Sequence, residues 1–168
     1  MIYFTSDTHF GHANIIRLCQ RPFKGVEDMN STLISNWNST IGPDDDIYHL
    51  GDFAYKGDST WLLNKLNGKK HLIEGNHDKK NLKNISWRSQ WTSIQPYLEL
   101  VVDKKLIVMC HYPFQEWNGY YRDAWHIHGH SHGRTPAFKN RIDVGVDSQN
   151  FTPVSVLQLR KQIEKTPR

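Results

Sequence analysis

The chain has 168 residues, 38% of them hydrophobic and 23% charged, with a formal net charge of +4. This length suits one domain with its own core. The longest strongly apolar run, Leu106 to Cys110, is far shorter than the roughly 20 residues that cross a bilayer. Cys19 and Cys110 are too few for a disulfide scaffold, and the opening MIYFTSDTHF lacks the basic and long apolar parts of a secretory signal. A cytoplasmic protein without a membrane segment is expected, with residues 1–168 forming a single domain. The mild positive charge suits an anionic partner such as a phosphate compound or nucleic acid.

In chain order, IYFTSD (2–7) is β-branched and aromatic and breaks at THFGHAN, which predicts a strand running into a loop. Residues 27–38 carry Met29, Leu33, Ile34 and Trp37 at helical spacing, and Gly42 and Pro43 stop that helix. DIYHLGD (46–52) reads as a second strand. DSTWLLNKLNG (58–68) reads as a helix with Asp58 as N-cap and Gly68 at its end. KKHLIEGNHD (69–78) is a third strand entering a polar loop. Short apolar strands joined by helices imply parallel pairing. The second half differs: YLELVVD (97–103) and KLIVMCHY (105–112) predict a hairpin, and WHIHGH, RIDVGVD and VSVLQL predict further strands. The fold class expected is α/β, a sandwich of two sheets with mixed pairing.

The polar residues that bind metals collect where these strands end. Asp7 and His9 follow the first strand, Asp52 the second, and Asn76, His77 and Asp78 the third. His111 follows LIVMC, and His130 and His132 follow WHIHG. In open α/β sheets, functional groups gather beyond the carboxyl ends of the strands. Residues two apart in an extended segment point the same way, so Asp7 with His9, and His130 with His132, can converge. Taken singly, DTH, GD and GNHD are ordinary turn sequences. Five such segments in one order point to a metal site. Mixed imidazole and carboxylate donors suit zinc, manganese, iron, cobalt or nickel rather than calcium. Seven ligands, one of them shared, would fill two sites and leave room for water.

The ordered series DTH, GD, GNHD, CH and GHSH resembles the calcineurin-like metallophosphoesterases, over residues 7 to 132. DVGVD is similar to that family's closing strands, and the chain length resembles its compact bacterial and phage-type members. The resemblance implies a four-layer α/β/β/α sandwich and a centre of two divalent transition-metal ions, manganese foremost, with iron, zinc, nickel or cobalt as alternatives. Carried onto this sequence, Asp7, His9, Asp52 and His132 would hold one ion. Asp52 would bridge to the second, completed by Asn76, His111 and His130. His77 would be catalytic, with Asp78 orienting it. The implied reaction is hydrolysis of a phosphodiester or phosphomonoester by a metal-bridging hydroxide. A diester of a nucleotide or nucleic-acid end is the favoured substrate. No ligand position is missing, which argues against a non-catalytic binding module. A phosphoprotein phosphatase would use the same centre.

Further residues bear on substrate. Arg17 is a candidate for holding a phosphodiester oxygen or second phosphate, whereas Arg21 reads as a solvated arginine on a surface helix. The segment 111–125, HYPFQEWNGYYRDAW, with Arg122, forms either a wall for a nucleobase or a lid on the core. His12 reads as a substrate contact or a loop hydrogen bond. His128 lies inside its strand, as a support for the ligands, a substrate-facing group or a core histidine. His49 reads as a strand residue, and the Lys pairs at 69–70 and 79–80 as solvated.

Overall fold

The computed structural model describes residues 1–55, 59–136 and 138–165. Strands β1 (Ile2–Thr5), β2 (Asp46–His49) and β3 (Lys69–Ile73) pair in parallel, as helical crossovers require. β4 (Ser93–Gln95) extends this sheet beside β3, and β9 (Val154–Ser155) closes it antiparallel to β1, giving the order β4-β3-β2-β1-β9. In the second sheet, β5 (Tyr97–Val102) and β6 (Lys105–Cys110) form the expected antiparallel hairpin. Asp103 and Lys104 at its turn take φ of 48° and 65°, the left-handed pair that matches strand twist. β7 (Trp125–His128) and β8 (Arg141–Asp143) then add in parallel, in the order β5-β6-β7-β8. Both sheets are mixed.

Alternation along the strands assigns each side chain to a layer. Tyr3, Ile47 and Leu72 face outward, against helices α1 (Ala13–Leu18), α2 (Val26–Thr40), α3 (Thr60–Lys65) and α4 (Ile85–Arg88). Met29, Leu33 and Trp37 form the buried stripe of α2, at the spacing read from the sequence. Phe4, Tyr48 and Ile73 face the other way and meet Ile107, Met109, Trp125, Ile127 and Ile142 of the second sheet. The inter-sheet core is therefore built from one residue in two of each strand. The outer face of the second sheet carries Leu106 and Val108, covered by Phe114, Trp117, Tyr120 and Ala124. This fourth layer is an aromatic loop with one 3-10 turn at Tyr120–Arg122. Among the described residues, no helix is long and apolar enough to cross a membrane.

Two expectations shift. VSVLQL, expected as a strand, pairs only through Val154–Ser155 and then turns into helix α5 (Val156–Lys165). Ser155 and Gln158 form a capping box: Ser155 N–H donates to Gln158 Oε1 at 2.8 Å, and Gln158 N–H donates to Ser155 Oγ at 3.3 Å. Val156, Leu159 and Ile163 then supply a helical stripe that packs on the inter-sheet core. The local alternation had concealed both signals. The helix expected over 58–68 spans Thr60–Lys65 with Ser59 at its N-cap; Asp58, the expected cap, lies outside the described residues.

Candidate metal centre

The parallel strands deliver their carboxyl ends to one edge of the sandwich. Asp7, His9, Asp52, His130 and His132 all have positive φ, between 48° and 64°. Such non-glycine conformations cost about 1–3 kcal/mol each and persist only where the surroundings impose them. The surroundings here are tight loop-to-loop bonds: Asp7 N–H donates to Gly51 O and His9 N–H to Asp52 O, both at 3.0 Å. Glycine precedes a site residue where another loop approaches too closely for a Cβ. A Cβ on Gly51 would lie 2.5 Å from Gly75 N, and one on Gly129 would lie 2.3 Å from Asp7 Oδ2. That is the physical content of the glycines in GD, GNHD and GHSH.

Two groups of donors result. Asp7, His9 and His132 bring their ligand atoms within 4.8 Å of one another, as do Asp52, His111 and His130. Asn76 Oδ1 joins the second group, 3.2 Å from His111 Nε2. Asp52 Oδ2 lies between the groups, 3.6 Å from His9 Nε2 and 3.5 Å from His111 Nε2. Asp7 Oδ1 lies 3.9 Å from His9 Nε2 and 3.8 Å from His132 Nε2. The four carboxylate-to-imidazole gaps are too long for good hydrogen bonds. Donors each ~2.1 Å from a common cation would be separated by roughly 3–4 Å. Asp7 Oδ1 and both ring nitrogens of His9 are buried without a hydrogen-bond partner among the described residues. Leaving such atoms unpaired costs about 1–3 kcal/mol apiece. A divalent transition-metal ion, which accepts imidazole and carboxylate donors, fits this set.

Supporting bonds set the histidine tautomers. His111 Nδ1 lies 2.7 Å from Leu50 O, an atom that only accepts, so Nδ1 carries the proton and Nε2 presents a lone pair. His132 Nδ1 lies 2.7 Å from Asp147 Oδ2, which leaves its Nε2 facing Asp7. Asp147 is held in turn by Arg21, whose Nε and Nη2 donate to the two carboxylate oxygens at 2.8 Å each. Asp143 shapes the following loop, accepting from Ser131 Oγ at 2.7 Å and from Gly133 and Gly145 N–H at 2.8 Å each.

Burial dominates the electrostatics. It pushes the Asp7 carboxyl up to about 7, against the lowering influence of His132. Burial, with His132 and Arg21 nearby, depresses His9 far below the usual imidazole range. Burial opposes the charged form of His132, but the bond to Asp147 and the charge of Asp7 outweigh it and raise this imidazole. Asp147 is buried too, yet its bonds to His132 and Arg21 hold it below the usual carboxylate range.

Other assignments change. Asp78 does not orient His77. Its buried carboxylate accepts the main-chain N–H groups of Gly75, Asp52 and Phe53 at 2.8, 2.9 and 3.0 Å, which ties the GD loop to the GNHD loop. The His77 ring stands at the mouth, its side chain 43% exposed and its Nε2 3.9 Å from Asp52 Oδ2; its main-chain N–H donates to Asp52 Oδ1 at 2.8 Å. Arg21 is a buried strut, not a solvated arginine: Nη1 also donates to Thr8 O at 3.0 Å and Nη2 to Asp7 O at 2.7 Å. His128 is buried beside His126, with Nδ1 2.9 Å from Gly129 O, so it is the core histidine and not a substrate contact.

Arg122 precedes β7, whereas the cluster follows it. The neighbouring Asp123 accepts at its main-chain oxygen from Lys105 Nζ, at the start of β6. Arg122 therefore sits at the opposite edge of the sheet from His111 and does not reach the cluster. Arg17 is exposed on α1. His12 is at the site, its ring 5.4 Å from that of His9 and stacked on Tyr55 at 3.7 Å. The aromatic segment divides: Phe114, Trp117 and Tyr120 close the outer layer. Tyr112 stands apart, 45% exposed, with its ring 5.0 Å from His111 and 4.8 Å from His130.

The chain is similar to the uncharacterized protein MJ1445 of Methanocaldococcus jannaschii, with 37% identity across 98% of this chain and 92% of that one. The Gene 66 protein of Mycobacterium phage D29 is 28% identical across 88% of each chain. No family model matches. Among solved structures, the protein of unknown function AQ665 from Aquifex aeolicus superposes with a TM-score of 0.73 and 28% identity, across 97% of this chain and 99% of that one. A novel archaeal phosphodiesterase superposes with a TM-score of 0.51 and 16% identity, across 86% and 81%, a likeness of fold.

Proposed function

The chain belongs to the family of the M. jannaschii protein MJ1445, and from its strand-end cluster we propose that it is a calcineurin-like, metal-dependent phosphoesterase. The observation that carries this reading is the pair of donor groups meeting at Asp52, with buried Asp7 and His9 atoms that find no hydrogen-bond partner among the described residues. In this reading Asp7, His9, Asp52 and His132 hold one divalent cation, and Asp52, Asn76, His111 and His130 hold a second. Manganese is the first choice. Bound there, the cations supply Lewis acidity to a phosphoryl oxygen and lower the pKa of water, to ~7 in favourable sites.

The chain's own residues supply the rest. Asp52 offsets the repulsion of two cations with one carboxylate. Leu50 O and Asp147 keep the Nδ1 protons of His111 and His132 in place, so that both rings offer Nε2. The exposed ring of His77 is positioned to give a proton to the departing oxygen as water attacks phosphorus in line. Tyr55, stacked on the buried ring of His12, and Tyr112, on the other side, set flat rings beside the cluster. Such rings suit the base of a nucleotide or a nucleic-acid end, which supports a phosphodiester as the substrate.

The test is to load metal-free protein with manganese, iron, zinc, nickel or cobalt. Rates are then compared on a phosphomonoester, a phosphodiester, linear and cyclic nucleotides and a phosphopeptide. Diester turnover by the manganese form is expected. A preference for the monoester removes the diesterase assignment, a preference for the phosphopeptide makes the protein a phosphoprotein phosphatase, and bound metal with no turnover makes it a binding module.

A further inference from the structure

Asp147 lies 15 residues after His132 and 126 after Arg21, yet it joins them in one buried unit. Arg21 carries only donors. It spends Nε and Nη2 on the two oxygens of Asp147, and Nη1 and Nη2 on the main-chain oxygens of Thr8 and Asp7. Its side chain is fully buried. A carboxylate gripped at both oxygens by a guanidinium accepts from a third group and does not donate to it. The proton of His132 therefore sits on Nδ1, and Nε2 is left bare, 3.8 Å from Asp7 Oδ1.

We infer that Asp147, braced by Arg21, is the positioning residue of the first cation site: it fixes the His132 tautomer that offers Nε2, while the same arginine holds the Asp7 main chain. The inference rests on the metal-centre reading above. It makes a prediction that simple structural support does not. In Asp147→Asn a single oxygen remains, and Arg21 claims it. The amide NH2 then faces His132 Nδ1 and donates to it, which moves the imidazole proton to Nε2 and blocks the ligand atom. Asp147→Ala only releases the ring, but it strips Arg21 of its carboxylate partner and leaves the weaker acceptor Met29 Sδ, 3.4 Å from Nη1.

The test is calorimetric titration of metal-free wild type, D147N and D147A with manganese, alongside thermal melts of each. Wild type is expected to bind two ions. D147N is expected to lose about 10–100-fold in affinity at one of them, the scale for partners that orient metal-bound histidines. D147A should lose less manganese affinity than D147N but more thermal stability. Manganese affinities that fall in step with stability, or an unchanged D147N, would overturn the inference and leave Asp147 as a counter-ion only. Should D147A fail to fold, nitrogen-15 spectra of the His132 ring in metal-free protein at alkaline pH decide the matter. Nδ1–H in wild type and Nε2–H in D147N is expected; the same tautomer in both overturns it. Wild type that binds no manganese overturns the metal-centre reading itself, and with it the purpose given to the tautomer, whatever D147N does.

Discussion

Replacing Arg21 with methionine should be among the most damaging single changes outside the cluster. The side chain is buried, and its loss removes the bidentate partner of Asp147 together with the donors to Asp7 O and Thr8 O. Breaking a buried ion pair by deleting one member costs about 3–5 kcal/mol, because the other charge is stranded. For a chain of this size, each kcal/mol moves Tm by about 2–4 °C, so the expected fall is about 6–20 °C. Differential scanning calorimetry of metal-free protein in one buffer measures it. Arg21→Met/Asp147→Leu strands no charge, so it should be less damaging than the sum of its single changes. A fall of under about 3 °C for Arg21→Met, or strict additivity in the double variant, would show that this pair does not brace the first site.

His77→Ala should lower turnover by about 10²–10⁴-fold with both metals retained, as loss of a general acid does; metal loss in proportion to activity would make His77 a ligand. Manganese affinity should rise with pH up to about 7, because burial holds the Asp7 carboxyl protonated until then and binding must displace that proton. Equilibrium dialysis between pH 5.5 and 8 checks this, and a flat profile contradicts it. His49, buried and 2.9 Å from Thr8 Oγ1, has its imidazole pushed from the ordinary 6.5 to about 3 by burial and, less, by His111. Between these values only the unfolded chain takes the proton, so stability falls as pH falls from 6.5 toward 3, by at most about 1.4 kcal/mol per unit. Asp7 and Asp78, raised to about 7 and about 6, act in the opposite sense, their contribution being lost as pH rises through those values. The comparison is therefore between wild type and His49→Leu, which differ in the one group. Urea unfolding at pH 4, 5 and 6 should show the steeper acid loss in wild type, and parallel curves would refute the assignment.

What the sequence disclosed follows from the range of its signals. Strand, loop and glycine signals are local, so the convergence of Asp7, Asp52, Asn76, His111 and His130 on one edge was legible from order and strand ends alone. Register and period were readable along β1, β2 and α2. They misled at Val154–Leu159, where a two-residue strand hands over directly to a helix and alternation masks the capping box. Side-chain partners across long separations were not legible. Neither the segment that carries Arg21 nor the DVGVD segment that ends in Asp147 shows that the fold closes 126 positions to pair them. Asp78, next to His77 in the chain, has the sequence position of an orienting partner. Its backbone instead turns the carboxylate inward onto three N–H groups, which no one-dimensional pattern reveals. Arg122 and His128 are close to ligand residues in sequence, but strand direction and pleat place them elsewhere.

The proposed phosphoesterase is built on two cations that share Asp52. Its most direct test is metal content by mass spectrometry together with diester hydrolysis, on wild type and Asp52→Asn purified and manganese-loaded in parallel. Wild type should carry two ions per chain and turn over the diester, with both metal content and turnover reduced in Asp52→Asn. Normal metal content and activity in Asp52→Asn, or wild type that hydrolyses the diester fully after chelation, would contradict it.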